Sequence, residues 1–100
     1  MKSISPETRL QPRDQLLKQE AAGTVVLLTL DEGRYYALEE PGGRAWDLCD
    51  GRRTIAEIAV ILADEYDAPP AEIESDLLEL FIELANENLV VENSRKAEGP

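Results

Sequence analysis

The first half of the chain has short apolar segments that are typical of strands. Residues 15–20, 24–30 and 34–38 are separated by glycines or by an acidic turn. Both alternating sets of positions in 24–30 are apolar, so we expect this segment to be the central strand and 34–38 to be an edge strand. A three-residue loop would place Leu28 opposite Tyr36, whereas a two-residue turn would shift the register by one. The sequence leaves both registers open.

The second half has the 3.6-residue periodicity of amphipathic helices. A short helix is predicted between the glycine pair at 42–43 and the Asp-Gly pair at 50–51. Thr54 and Glu57 have the spacing of a capping box and predict the start of the second helix, and prolines at 69–70 predict the start of the third. The order of elements predicts an α+β domain similar to a small winged helix-turn-helix, with a three-stranded antiparallel sheet followed by three helices.

The ends of the chain are polar, and we expect a single domain between them. Residues 1–13 contain two prolines and predict a flexible N-terminal arm. Residues 93–100 contain no apolar residue except Ala97 and predict a disordered tail. The folded domain is therefore expected over residues 14–92.

The third helix has more apolar surface than a small bundle needs. A helix turns by about 100° per residue, which places one apolar stripe along its core-facing side. This first stripe consists of Ile73, Leu77, Leu80, Phe81 and Leu84. Leu78, Ile82 and Ala85 form a second stripe beside the first. One explanation is that the sheet covers the second stripe. The other is that the second stripe lines an open groove for a partner.

The composition leaves little room for catalysis. The chain has 43% hydrophobic residues, no histidine and one cysteine, Cys49. The usual zinc ligand sets and the Ser-His and Cys-His pairs cannot be assembled, and Cys49 and Trp46 are expected to be core residues. The adjacent carboxylates at 39–40 and 64–65 point in different directions. We therefore expect no enzyme activity, no catalytic residue, no metal and no cofactor.

The charge also excludes partners. The net charge is −11, and between Arg53 and Arg95 there are eleven acidic residues and no basic one. Such a surface repels nucleic acids and anionic membranes, so we expect neither as a partner. The longest apolar stretch, 58–63, is too short to cross a membrane, and a single cysteine favours the cytoplasm. A DNA-binding winged-helix regulator would have the same topology, but its reading helix would be acidic.

An edge strand beside an apolar helix is suited to binding an extended peptide. Each backbone hydrogen bond contributes about 0.5–1.5 kcal/mol, whereas ordering each peptide residue costs about 1–2 kcal/mol. Affinity therefore needs apolar anchors of about 1.5–3 kcal/mol each, which a helix wall provides. This is β-augmentation.

Several segments of the chain form a familiar set. They are Arg34-Tyr35-Tyr36-Ala37-Leu38, Gly42 or Gly43, the run from Trp46 to Ile58 with Asp50-Gly51-Arg52-Arg53-Thr54-Ile55, Tyr66, Ile73-Glu74-Ser75-Asp76-Leu77 and Asn88-Leu89-Val90. Together they resemble the PqqD family of peptide chaperones in pyrroloquinoline quinone biosynthesis, over about residues 15–92. These proteins are recognition elements for ribosomally made, post-translationally modified peptides (RiPP recognition elements).

The resemblance implies a non-catalytic chaperone that binds the leader of a precursor peptide as an added strand. On this chain, the implied binding residues are Arg34, Tyr35, Tyr36, Ala37 and Leu38, facing Leu78, Ile82 and Ala85. The implied second partner is a modifying enzyme, either a radical SAM enzyme or a leader protease and cyclase of lasso-peptide pathways. Glu39-Glu40-Pro41 stands where family members often have Asn, which leaves the pathway open. A further alternative is a structural subunit of a biosynthetic enzyme complex.

Overall fold

The structure is a computed structural model that describes residues 4–93. Within these residues the elements are β1 (Leu10–Pro12), β2 (Leu16–Ala21), β3 (Thr24–Thr29), β4 (Tyr35–Glu39), α1 (Gly42–Leu48), α2 (Ile55–Tyr66), α3 (Pro70–Asn86) and β5 (Val90–Glu92). Strands β2, β3 and β4 form an antiparallel sheet in that order, and β1 pairs with β5 in a second, two-stranded sheet. The predicted α+β class, with a three-stranded antiparallel sheet followed by three helices, is confirmed, and the β1–β5 pair is additional to it.

The three-stranded sheet is covered by helices on one face. In β3, Val25, Leu27 and Thr29 are buried, and the residues between them are half-buried. The partners of Val25 and Leu27 are Leu38 and Tyr36, which therefore lie on the same inner face. The order β2-β3-β4 confirms the prediction that 24–30 forms the central strand.

The register between β3 and β4 is the one given by the one-residue shift, because Leu28 pairs with Tyr35 instead of Tyr36. The connecting loop is longer than the two-residue and three-residue turns that the sequence predicts. The Thr29 amide donates to the carbonyl of Arg34 (2.8 Å), and the Gly33 amide donates to the carbonyl of Thr29 (2.8 Å). Residues 30–33 are therefore outside the ladder, with Gly33 at φ +71°. The threonine hydroxyl also accepts from the Arg34 amide, which fixes this longer turn.

The helices begin where the sequence predicts. The Thr54 hydroxyl accepts from the Glu57 amide (3.1 Å), and the Glu57 carboxylate accepts from the Thr54 amide (2.8 Å), which confirms the capping box. Helix α2 ends at Asp67 in the left-handed conformation, and α3 begins at Pro70. Trp46 and Cys49 are buried, as expected. The largest fully buried side chains are Phe81, Leu27, Ile55, Ile58, Leu62, Leu84, Leu89 and Val25.

The prediction of a flexible arm over residues 1–13 is wrong for its second half. Leu10 is buried, and β1 pairs with β5 so that Leu10 lies opposite Glu92. The Leu10 carbonyl accepts from the Gly51 amide (2.9 Å) and from the Cys49 thiol (3.1 Å). A three-residue strand has too little periodicity to be seen in the sequence, and its partner is about 80 residues away. Asn93 still belongs to the domain, since its amide donates to the carbonyl of Arg9, and the rest of the predicted tail lies outside the described residues.

Helix α1 approaches the sheet so closely that Gly43 cannot be replaced without movement. A Cβ at Gly43 would lie 2.7 Å from a methyl carbon of Val25 in the buried face of β3, whereas a Cβ at Gly42 would lie no closer than 3.4 Å to any neighbour. We expect Gly43→Ala to lower the free energy of unfolding by about 1–3 kcal/mol because of overpacking. Gly42→Ala is the matched control and should change it by less than about 1 kcal/mol. Urea denaturation compares the two, and equal stability of both variants would contradict the close approach.

The Cys49 thiol should be unreactive in the native protein. It is 3% exposed, and burial, with a smaller effect of Asp50, raises its pKa to about 12. At pH 8 the group is therefore a neutral thiol, and thiol–disulfide exchange requires the thiolate. We expect labelling by an aromatic disulfide reagent at pH 8 to be slowed by orders of magnitude until urea unfolds the protein. Rapid labelling without denaturant would show that β1 does not stay packed on α1.

Candidate functional site

Strand β4 has a row of backbone groups that no strand within residues 4–93 uses. It is the last strand in the order β2-β3-β4. The Thr29–Arg34 hydrogen bond sets the phase of the antiparallel ladder, so that Tyr36 and Leu38 bond to β3. The N–H and C=O groups of Tyr35, Ala37 and Glu39 consequently point away from β3. These three residues are all exposed.

Helix α3 lies beside β4 and runs in the opposite direction. At the start of the strand, the Arg34 guanidinium donates to the Glu87 carboxylate and to its backbone carbonyl, both at 3.0 Å. Two residues further along β4, the Tyr36 hydroxyl donates to the Glu83 carboxylate. We call the space that these contacts border, outside β4 and along α3, the β4–α3 cleft.

The far end of the cleft is apolar. Leu80 of α3 and Leu38 of β4 both border Gly42, with their nearest side-chain carbons 3.4 and 3.8 Å from the position of a Cβ on that glycine. Leu38 is buried and Leu80 is half-buried. A peptide in the cleft would therefore meet charge near Arg34 and an aliphatic wall near Leu38.

The two hydrogen-bond donors at the polar end of the cleft, Arg34 and Tyr36, have raised pKa values. Burial raises the pKa of Tyr36 to about 12, and the hydrogen bond to Glu83 acts in the same direction. Hydrogen bonds to Glu32 and Glu87 raise the pKa of Arg34. The phenol is therefore a neutral donor and the guanidinium a cation at every physiological pH. Neither group is poised for proton transfer.

The structure divides the predicted residues of β4 between two faces. Tyr36 and Leu38 share the inner face with Val25 and Leu27, towards the helices. The side chains of Tyr35 and Ala37 belong to the opposite face, so only their backbone groups line the cleft. Arg34 precedes the strand and contacts α3.

The structure does not bring Leu78, Ile82 and Ala85 to β4. At about 100° per residue, Leu80, Glu83 and Glu87 are on one flank of α3, and the three predicted residues are about 165° away on the other. Ile82 is 44% exposed, and Leu78 and Ala85 are half-buried. The helical wheel identified two apolar stripes but contained no information about which flank meets the edge strand. The sequence analysis places Leu80 in the core stripe and not in the site. Leu80 lies at one margin of that stripe, which was the signal that it could reach the edge strand.

Neither metal-binding nor membrane-spanning features occur in residues 4–93. No three His, Cys, Asp or Glu side chains in this part of the chain are grouped to hold a metal ion. None of its helices has both the length and the apolar character that crossing a membrane requires. The only cysteine is buried with a raised pKa, so it is not an activated nucleophile.

Comparison with solved structures gives the same architecture. The chain is similar to the PqqD truncation of Methylobacterium extorquens PqqCD, described as a functional, stand-alone RiPP recognition element, with 28% identity and a TM-score of 0.77 over 89% of this chain and 95% of that one. It is also similar to TbiB1 in complex with the TbiA(beta) leader peptide, with 27% identity and a TM-score of 0.72 over 90% and 99% of the two chains. Lasso peptide synthetase B1 in complex with its leader peptide shares the fold (19% identity, TM-score 0.74, 83% and 98% covered).

The sequence comparisons agree. The bifunctional coenzyme PQQ synthesis protein C/D of Methylorubrum extorquens is 39% identical over 57 residues, which are 57% of this chain and 15% of that protein. These comparisons give no support to a DNA-binding regulator. The family model for coenzyme PQQ synthesis protein D (PqqD) matches residues 24–90, about two-thirds of the chain. The chain therefore belongs to the PqqD family.

Proposed function

We propose that this protein is a non-catalytic chaperone that binds the leader of a ribosomal precursor peptide and presents it to a modifying enzyme. The leader adds to β4 as a fourth strand in the β4–α3 cleft. The observation that carries the proposal is the unpaired row of backbone groups at Tyr35, Ala37 and Glu39 with a helix running beside it. The cytoplasm is the predicted location, as is usual for a chain with a single unpaired cysteine.

Leader binding requires both the backbone groups of β4 and the apolar end of the cleft. Three outward-facing residues offer six backbone groups, and each bond contributes about 0.5–1.5 kcal/mol. Ordering five or six leader residues costs about 1–2 kcal/mol each, which offsets these bonds. Net affinity then comes from apolar leader side chains packed against Leu38 and Leu80, at about 1.5–3 kcal/mol for each one fully buried.

The other free edge of the sheet is less suitable. Strand β2 has outward-facing groups at Leu16, Lys18 and Glu20, by the same ladder argument. The Lys18 ammonium, however, donates to Asp47 of α1 at 2.6 Å, and this hydrogen bond raises the pKa of Lys18. An ion pair therefore occupies the place where the β4 edge has an aliphatic wall. A lysine on an edge strand also discourages strand addition.

The relatives support a leader peptide as the ligand. Two of the similar structures are complexes with leader peptides, and a third is described as a RiPP recognition element. A fused relative of the PQQ pathway and a lasso-peptide relative leave both kinds of modifying enzyme open, a radical SAM enzyme or a leader protease and cyclase. A structural subunit of an enzyme complex would bind the enzyme but no leader.

The outward-facing amide of Ala37 provides one test of strand addition. Ala37→Pro removes a donor that β3 does not use, so it should lower the affinity for the leader of the cognate precursor peptide at least tenfold. Glu20→Pro is the matched control, since it removes an outward-facing amide from the β2 edge and should leave the affinity within twofold. Fluorescence anisotropy of the labelled leader measures both.

The fold of each variant is checked by circular dichroism, and an amide-to-ester replacement at Ala37 tests the same donor without the proline ring. Wild-type affinity in the ester variant, or a loss caused by Glu20→Pro instead, would contradict strand addition at β4.

Substitutions on the two flanks of α3 test which flank forms the apolar wall of the cleft. Leu80→Ala should weaken leader binding about tenfold, because Leu80 borders the apolar end of the cleft. Ile82→Ala removes a similar side chain from the opposite flank and should have no effect. The reverse outcome would return the groove to Leu78, Ile82 and Ala85, as the helical wheel predicted.

A further inference from the structure

The sheet face opposite the helices is apolar and uncovered in the part of the chain that is described. Its central rows consist of Leu17, Leu28 and Tyr35 and of Gln19, Val26 and Ala37, which are cross-strand partners. We call these six residues the outer sheet face. Leu17 is 45% exposed and Tyr35 76% exposed. Tyr35 contributes nothing to the core from this position, so only a partner from outside the described domain could cover it.

The outer sheet face is uncharged in a strongly acidic chain. Of the nine residues that β2, β3 and β4 direct to this side, only Glu39, in the end row with Ala21 and Thr24, is charged. The whole chain has a net charge of −11. Depletion of charge with an exposed aromatic residue is the composition of an interface core.

The size of the face and the charge of the chain indicate what covers it. Three strands about 4.8 Å apart and five or six residues long present roughly 250 Å². A stable interface buries about 800 Å² on each partner, so this face alone is the centre of a larger contact, and in a dimer that contact would bring −11 against −11. A second copy is therefore a poor occupant. An added strand next to β4 would extend the same face, with alternate leader side chains beside Tyr35 and Ala37.

We propose that the outer sheet face, widened by the bound leader, docks the enzyme that modifies the precursor. The complementary surface on that enzyme is an apolar patch with a basic rim. This inference rests on the proposed function. It is supported by the Methylorubrum extorquens relative, in which the matched region is 15% of a bifunctional protein and so is joined to a further polypeptide. Because the bound leader adds to the surface that the enzyme contacts, the leader raises the affinity for the enzyme, and the enzyme raises the affinity for the leader by the same factor.

The test uses residues outside the cleft. Leu17→Ser and Leu28→Thr alter the outer sheet face on β2 and β3, and Val60→Ser, on α2, removes a 60% exposed side chain elsewhere as the control. The probes are the leader of the cognate precursor peptide and the enzyme that modifies that precursor. Calorimetry should show that the enzyme binds the wild-type protein at least fivefold more tightly with leader present. Both face variants should weaken enzyme binding at least tenfold with leader affinity within twofold, and Val60→Ser should change neither.

The outcomes separate this inference from the proposed function. Enzyme binding that both face variants leave unchanged, or that is equal with and without leader, overturns the docking surface while leader binding stands. A wild-type protein that binds the enzyme but no leader overturns the proposed function instead. A dimer in sedimentation experiments that Leu17→Ser dissociates overturns the enzyme as occupant and assigns the face to a second copy.

Discussion

The candidate site depends on the backbone hydrogen bonding of β4, in which only alternate residues are paired with a neighbouring strand. On one side, Tyr36 and Leu38 complete the ladder with β3, and on the other side Tyr35, Ala37 and Glu39 have no partner strand within residues 4–93. An exposed edge of this kind normally invites aggregation. Here α3 lies alongside it and contacts the strand through Arg34 and Tyr36.

The contacts between α3 and β4 maintain this opening without closing it. Arg34–Glu87 is a half-exposed ion pair, which contributes little to stability on its own. Its geometry nevertheless aligns the helix with the strand, together with the Tyr36–Glu83 hydrogen bond. The raised pKa of Tyr36 keeps its hydroxyl protonated, and therefore able to donate, at physiological pH. The two proposals assign different parts of the same sheet: its edge binds the leader, and its outer face docks the modifying enzyme.

Local signals in the sequence predicted most of the fold. The capping box of Thr54 and Glu57 and the two apolar parities of β3 are properties of adjacent residues, and both predictions are confirmed. The β1–β5 pair was missed because it joins two three-residue strands from opposite ends of the chain. The loop before β4 was predicted too short, because the Thr29 hydroxyl that stabilises the longer turn has no distinctive pattern.

The site was predicted in part for the same reason. Periodicity identified β4 as an edge strand and α3 as a helix with two apolar stripes. The flank of α3 that meets β4 depends on how the helix is rotated in the packed domain, which is decided by Leu80, Glu83 and Glu87 together. The sequence places Leu80 at one margin of the core stripe but does not show which margin meets β4. The outer sheet face likewise required the register, because a shift of one residue exchanges the two faces of β4.

Amide hydrogen exchange with and without the leader tests strand addition most directly. Tyr36 and Leu38 already bond to β3, so their amides should be protected in both states. The amides of Tyr35, Ala37 and Glu39 should exchange quickly in the free protein and become protected when the leader binds. Protection that appears at Lys18 and Glu20 on β2 instead, or a bound leader that leaves all three β4 amides unprotected, would contradict the account.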